Sequence, residues 1–258
     1  MIRRGSITSV KTIEVDTPFG TANAHLNQAA EPPAALVLGH GAGGGVQAKD
    51  LVAVAHVAHS VGLSVALVEQ PYRVAGRRSP APAHQLDAVS TAVIDHLVAG
   101  ELRGLALLVG GRSSARVACR TAEAVGAVGV LCLAFPLQPP RRSGAKPTQS
   151  RLPELDGLTV PTLVVQGSRD PFGIPPATKR RTVVQVAGDH SLRTDLAAVS
   201  EAVRAWLLRV VLESHATRTS QRSQMDSVPA LDNASIGAES DPHDHSDKTA
   251  HAAAVAQR

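Results

Sequence analysis

Aromatic residues are scarce in this chain: one Trp, one Tyr and three Phe make up 2% of its 258 residues. A core must therefore be assembled from Val, Leu and Ala, and no Lys or Arg run is interleaved with rings that could stack on bases. With a formal net charge of only +4, nucleic acid is not an expected partner. Cysteine is as rare. Cys119 and Cys132 lie inside apolar runs without metal-type spacing, which reads as two buried free thiols in a reducing cytoplasm. No apolar run approaches the length of a membrane span, and no apolar stretch follows the arginines of MIRRGSITSVKTIEVD, so neither a membrane nor export is expected. Also missing is Gly-x-x-x-x-Gly-Lys-Ser/Thr, which argues against a phosphate-cradling loop.

What is present is a strong alternation. Hydrophobic residues make up 43% of the chain, enough for a sizeable core. Continuous apolar runs at Ala34–Leu38, Leu63–Val68, Leu105–Val109, Ala127–Leu133, Thr162–Val165 and Thr182–Val186 read as buried strands. Between them lie amphipathic patterns at Leu51–Val61, Gln85–Ala99 and Asp195–Val211. Lys11–Val15 and Thr21–His25, around Pro18-Phe19-Gly20, read as an edge hairpin. Buried strands alternating with helices predict an α/β fold, a mostly parallel, doubly wound sheet with helices on both faces. The polar stretch from Pro136 to Val160 is too short for a substantial cap. The expected organisation is one domain over residues 1–212 and a polar tail over 213–258, too poor in apolar residues to offset its ordering entropy.

The stretch LALLVGGRSSARVAC, Leu105 to Cys119, is the centre of the pattern. A buried strand passes through two glycines, turns at Arg112-Ser113-Ser114 and enters a segment with Val117, Ala118 and Val125 at helical spacing. That is the layout of a nucleophile elbow, in which a strained turn thrusts a serine hydroxyl toward the free N–H groups of a helix start. Gly-x-Ser-x-Gly is met only in part, since Ala115 holds the last place. On its own the stretch fits equally a small-residue turn with an incidental serine.

A serine needs a base to take its proton and an acid to hold that base. Gln166-Gly167-Ser168-Arg169-Asp170 places a carboxylate after one strand, and Gly188-Asp189-His190 places an imidazole after the next. The candidates are Ser113 as nucleophile, Asp170 as acid and His190 as base, with Asp189 the lesser choice of acid. For an oxyanion, one donor is expected from the Ser114 N–H and one from the loop His40–Gly45, by position Ala42, with Gly43 next.

The order Ser, Asp, His is that of α/β-hydrolases, and the chain resembles the small, cap-poor members near dienelactone hydrolase. Within them it is most similar to predicted hydrolases that include a testis-expressed protein and the hydrolase-like subunit of a histone acetyltransferase complex. The resemblance spans Leu36 to Leu192. It rests on HGAGG from His40, Pro71-Tyr72 with Gly76-Arg77-Arg78, GGRSSAR from Gly110, Phe135-Pro136-Leu137 with Pro139-Pro140, QGSRDPFG from Gln166 and GDHSL from Gly188. It implies the same three catalytic residues, Ser113, Asp170 and His190. The chain departs from that pattern at Ala115, where glycine is usual, and at Gln138, where histidine is common.

Arginines gather around these blocks: Arg73, Arg77, Arg78, Arg112, Arg116, Arg141 and Arg142. Arg112 and Arg116 are the expected contacts for an anionic substrate group, with Tyr72 a further substrate-binding candidate. The expected activity is hydrolysis of a small-molecule acyl substrate, an ester or thioester, with no cofactor and no metal. The alternative is a non-catalytic binding or scaffold protein on the same fold. Oligomeric state is not legible.

Overall fold

Apolar runs without a polar break have to be covered on both sides, and the computed structural model achieves this with an eight-stranded sheet between two helical layers. It describes residues 10–138 and 149–226. The strands are β1 (Lys11–Thr17), β2 (Gly20–Asn27), β3 (Ala34–Gly39), β4 (Ser64–Glu69), β5 (Ala106–Gly111), β6 (Gly129–Leu133), β7 (Thr162–Gly167) and β8 (Arg181–Val186). Their order in the sheet is β1-β2-β4-β3-β5-β6-β7-β8. β1 and β2 form the expected antiparallel hairpin, β2 runs antiparallel to β4, and every other neighbouring pair is parallel. β5 therefore lies between β3 and β6, with the carboxyl ends of β3, β5, β7 and β8 along one edge, where sites form in such sheets.

The helices are α1 (Lys49–Ser60), α2 (Pro71–Val74), α3 (Ala83–Ala99), α4 (Ala115–Thr121), α5 (Leu152–Asp156) and α6 (Leu196–Asp226). Strand residues alternate between the layers: Val37 joins the cluster under α3 and α4, whereas Leu36 and Leu38 join the one under α1 and α6. Leu38, Leu108 and Leu131 are fully buried, and truncating any one to Ala costs about 2–5 kcal/mol through lost transfer energy and the cavity left behind.

Four elements differ from expectation. α4 stops at Thr121, because Gly126 at φ +64° and an Ala127 N–H to Ala122 carbonyl bond close it, leaving Val125 beyond its end. α2 and α5 are too short to show periodicity in the sequence, and each has proline in its first turn. α6 runs well past Val211 to Asp226, so the tail expected from residue 213 is helical at its start. No Gly or Pro interrupts 213–226, and an established helix extends through such residues at little cost. Asp195 caps α6 by accepting the Ala198 N–H at 2.9 Å. The rest of that tail, residues 227–258, lies outside the described residues. Among the described residues, no helix is long and apolar enough to cross a membrane.

Candidate active site

Ser113 follows β5 directly, two residues before α4 begins. The backbone turn is made by Gly111, at φ +134°, where a Cβ would sit 2.1 Å from the Gly39 carbonyl oxygen. Only glycine can take that place. The expected strain at the serine is absent: among described non-glycine residues only Ala134 and Leu192 have positive φ, so Gly111 takes up the turn instead. Ala115 is fully buried and accommodated. The Ser113 Oγ accepts the Ala42 N–H at 2.5 Å, which brings the expected oxyanion donor onto the expected nucleophile. The Ser114 N–H has no backbone acceptor among the described residues.

The loop that carries Ala42 is fixed by His40, 4% exposed. Its Nδ1–H donates to the Gly41 carbonyl at 2.9 Å, and its Nε2 accepts the Gln70 N–H at 3.2 Å. Burial holds this imidazole below its ordinary value, so it stays in the neutral form these bonds require. Gly43 extends the same loop, is exposed and lines the cavity described below.

Asp170 lies past β7 with its side chain wholly buried, and His190 past β8 donates Nδ1–H to the Asp170 Oδ2 at 2.9 Å. The two loops interlock: a Cβ on Gly167 would lie 2.3 Å from the Asp189 carbonyl oxygen, so glycine lets them close. Asp189 turns away and binds the Ser191 N–H and hydroxyl. The His190 ring is braced by Phe172, with centroids 4.4 Å apart. Among the described residues Ser113 makes no hydrogen bond to His190, but both line one cavity of about 860 Å³.

Several supporting groups were not legible as such. Gln166, fully buried, donates Nε2–H to Asp170 Oδ2 at 2.8 Å and to the carbonyls of Phe135 and Gly173, while its Oε1 accepts the Phe135 N–H. The Phe172 N–H donates to the other Asp170 oxygen at 2.9 Å. Arg112 bridges α1 and the base loop, donating to Asp50 Oδ2 at 2.8 Å and to the His190 carbonyl at 2.8 Å. Asp50 is 3% exposed. Arg112 therefore fails as a free substrate contact and serves as a clamp. Arg116 is likewise engaged, in a two-pronged pair with Glu154.

Tyr72 lines the cavity, buried and edge-on to His40. Arg73, Arg77 and Arg78 do not line it, and Arg141 and Arg142 lie outside the described residues. Gln138 is exposed and does not line it either. Cys119 and Cys132 are buried free thiols with sulfurs 3.9 Å apart, and burial adds to the effect of the neighbouring sulfur in pushing the Cys132 thiol up. Among the described residues no group of three or more His, Cys, Asp or Glu comes together as metal ligands would.

A family described as an alpha/beta hydrolase domain matches residues 32–207. No curated protein sequence matches the chain. Among solved structures it is similar to a lidless α/β serine hydrolase of Xanthomonas campestris, with TM-score 0.60 and 20% identity over 78% of this chain and 95% of that one. Est1E of Butyrivibrio proteoclasticus gives TM-score 0.61 and 17% identity over 78% and 99% of the two chains. An esterase of Pyrococcus furiosus gives 0.62 and 13% over 78% and 93%. At these identities the likeness is one of fold.

Proposed function

The chain belongs to the alpha/beta hydrolase domain family, and we propose that it is a serine hydrolase cleaving a small ester, thioester or related acyl compound. Ser113 attacks the carbonyl as His190 Nε2 takes its proton, Asp170 holds the imidazole, and the Ala42 and Ser114 N–H groups hold the oxyanion. The intermediate then collapses, the alcohol or thiol leaving with the proton held on His190; water, giving a proton to His190, attacks the acyl-enzyme, and the carboxylic acid departs as Ser113 regains that proton. The observation that carries this reading is the short Ala42 N–H to Ser113 Oγ bond, on the same cavity as a His190 whose Nδ1 is taken by Asp170. A hydroxyl resting on that donor must swing toward Nε2 when a substrate oxygen displaces it. Such a swing is a rotation about one side-chain bond and costs little.

The similarity to a serine hydrolase without a lid and to an esterase supports the same chemistry. So does the similarity to dienelactone-hydrolase-like and testis-expressed hydrolase-like proteins seen in the HGAGG, GGRSSAR and GDHSL blocks. The reading includes action in the cytoplasm. The test is covalent labelling with a fluorophosphonate probe. The wild-type protein takes the label, Ser113→Ala does not, and His190→Ala slows it by orders of magnitude. A label that persists on Ser113→Ala overturns the assignment.

A further inference from the structure

The cavity beside Ser113 has an uneven charge. Its described lining carries the cations Lys49, Arg112, Arg116, Arg120, Arg151 and Arg193 against one carboxylate, Asp50, and of these Lys49 and Arg193 are exposed to solvent. Three of these guanidinium groups are already matched: Arg112 by Asp50, Arg116 by Glu154, and Arg120 by Asp87 with Glu154. Arg151 is not. It stands half-buried at the start of α5 and donates to the Pro136 carbonyl at 3.0 Å. No carboxylate among the described residues pairs with it. Residues 139–148, which are not described, contain no Asp or Glu. The nearby Glu154 is shared between two other arginines. Burial, and then the positive charge of Arg116, pull the Arg151 guanidinium below its ordinary value, the mark of a cation short of an anion.

We propose that Arg151 is the specificity-determining anchor for an anionic substrate, an ester or thioester carrying a carboxylate or phosphate that docks on its guanidinium while the acyl carbonyl sits at Ser113. The assignment rests on the hydrolase reading above and narrows its substrate class. One guanidinium nitrogen is held by Pro136, which leaves the other N–H groups for the anion, an arrangement in which a planar fork outperforms a point charge. Arg112 and Arg116, spent on their own partners, shape the wall instead.

The experiment compares three chromogenic esters: neutral 4-nitrophenyl pentanoate, 4-nitrophenyl glutarate with the anion on the acyl half, and 3-carboxy-4-nitrophenyl pentanoate with it on the leaving group. The wild-type protein favours one anionic ester over the neutral one by roughly 10- to 100-fold in kcat/KM, carried by KM, as expected for a hydrogen-bonded charge. The ester favoured tells which half docks. Arg151→Gln removes the preference, lowering kcat/KM for the favoured anionic ester far more than for the neutral one, and Arg151→Lys restores part of it. A wild-type preference that is absent, or that survives Arg151→Gln, overturns the proposal. Should no ester turn over and no fluorophosphonate label form, the hydrolase reading has failed on its own account. The anion site is then read by calorimetric titration with glutarate and with inorganic phosphate. Binding by wild type and none by Arg151→Gln supports the anchor, and binding by neither or by both removes it.

Discussion

Replacing Gln166 by Leu tests how the acid of the site is held. The side chain is fully buried and joins three backbone groups to the Asp170 carboxylate, so an isosteric apolar residue keeps the volume and deletes every bond. The bond to Asp170 is charge-assisted and contributes roughly 1.5–3 kcal/mol, and stranding the buried Phe135 N–H costs roughly another 1–3 kcal/mol. The sum, about 2.5–6 kcal/mol, is a large share of the roughly 5–15 kcal/mol that keeps a domain folded. Urea unfolding measures it. Because Asp170 orients His190, the variant also labels with fluorophosphonate more slowly, by about 10-fold or more. In an Asp170→Asn background the charge is gone, and the Gln166→Leu cost falls by at least roughly 1 kcal/mol. A single variant within about 1 kcal/mol of wild type, below the smallest stranding cost, with an unchanged labelling rate, refutes the account.

Three further outcomes follow from the same geometry. Arg112→Met leaves Asp50 buried and unpaired and costs about 3–5 kcal/mol in urea unfolding; adding Asp50→Leu recovers most of that stability but not the labelling rate, since the His190 carbonyl stays released. Ala115→Val overpacks a fully buried position and costs about 1–3 kcal/mol, whereas Ala115→Gly labels like wild type. His40 titrates near 6.5 when unfolded and lower when folded. Between those values the unfolded chain binds more protons, so stability falls as pH drops below 6.5 and is fully present above it. In thermal unfolding across pH 5–8, His40→Gln flattens that slope, and an unflattened slope assigns it to another group.

The strands and their parallel arrangement were legible because a run such as Ala34–Leu38 has no polar residue to turn toward water. The positions of Ser113, Asp170 and His190 were legible for a related reason, since each falls where an apolar run ends and a glycine-bearing loop begins. The partners of those residues were not. Gln166 reads in sequence as the first residue of the loop after a buried strand, and nothing local says that its side chain is buried with its amide on Asp170. Asp50 and Arg112 are 62 positions apart and meet only because α1 and the β5 turn share an edge of the sheet. Choosing Arg112 and Arg116 as anion contacts followed from nearness to the serine. Nearness in sequence cannot tell a spent guanidinium from a free one, and Arg151, remote from the motif, is the half-buried arginine of the cavity wall left without a carboxylate among the described residues.

Burial of Asp170 favours the proposed catalytic reading of the loops over a purely architectural one. Taking a carboxylate fully out of water costs several kcal/mol, which its partners at best offset, and an apolar residue of similar size would serve packing as well or better. Gln166, the Phe172 N–H and His190 together supply the donors for it. Two of those three give only support. The third, His190, is 30% exposed on the cavity side and passes the effect of the buried charge to an open imidazole edge beside Ser113. A scaffold gains nothing from charge held there, whereas a base that must become imidazolium in the transition state gains directly.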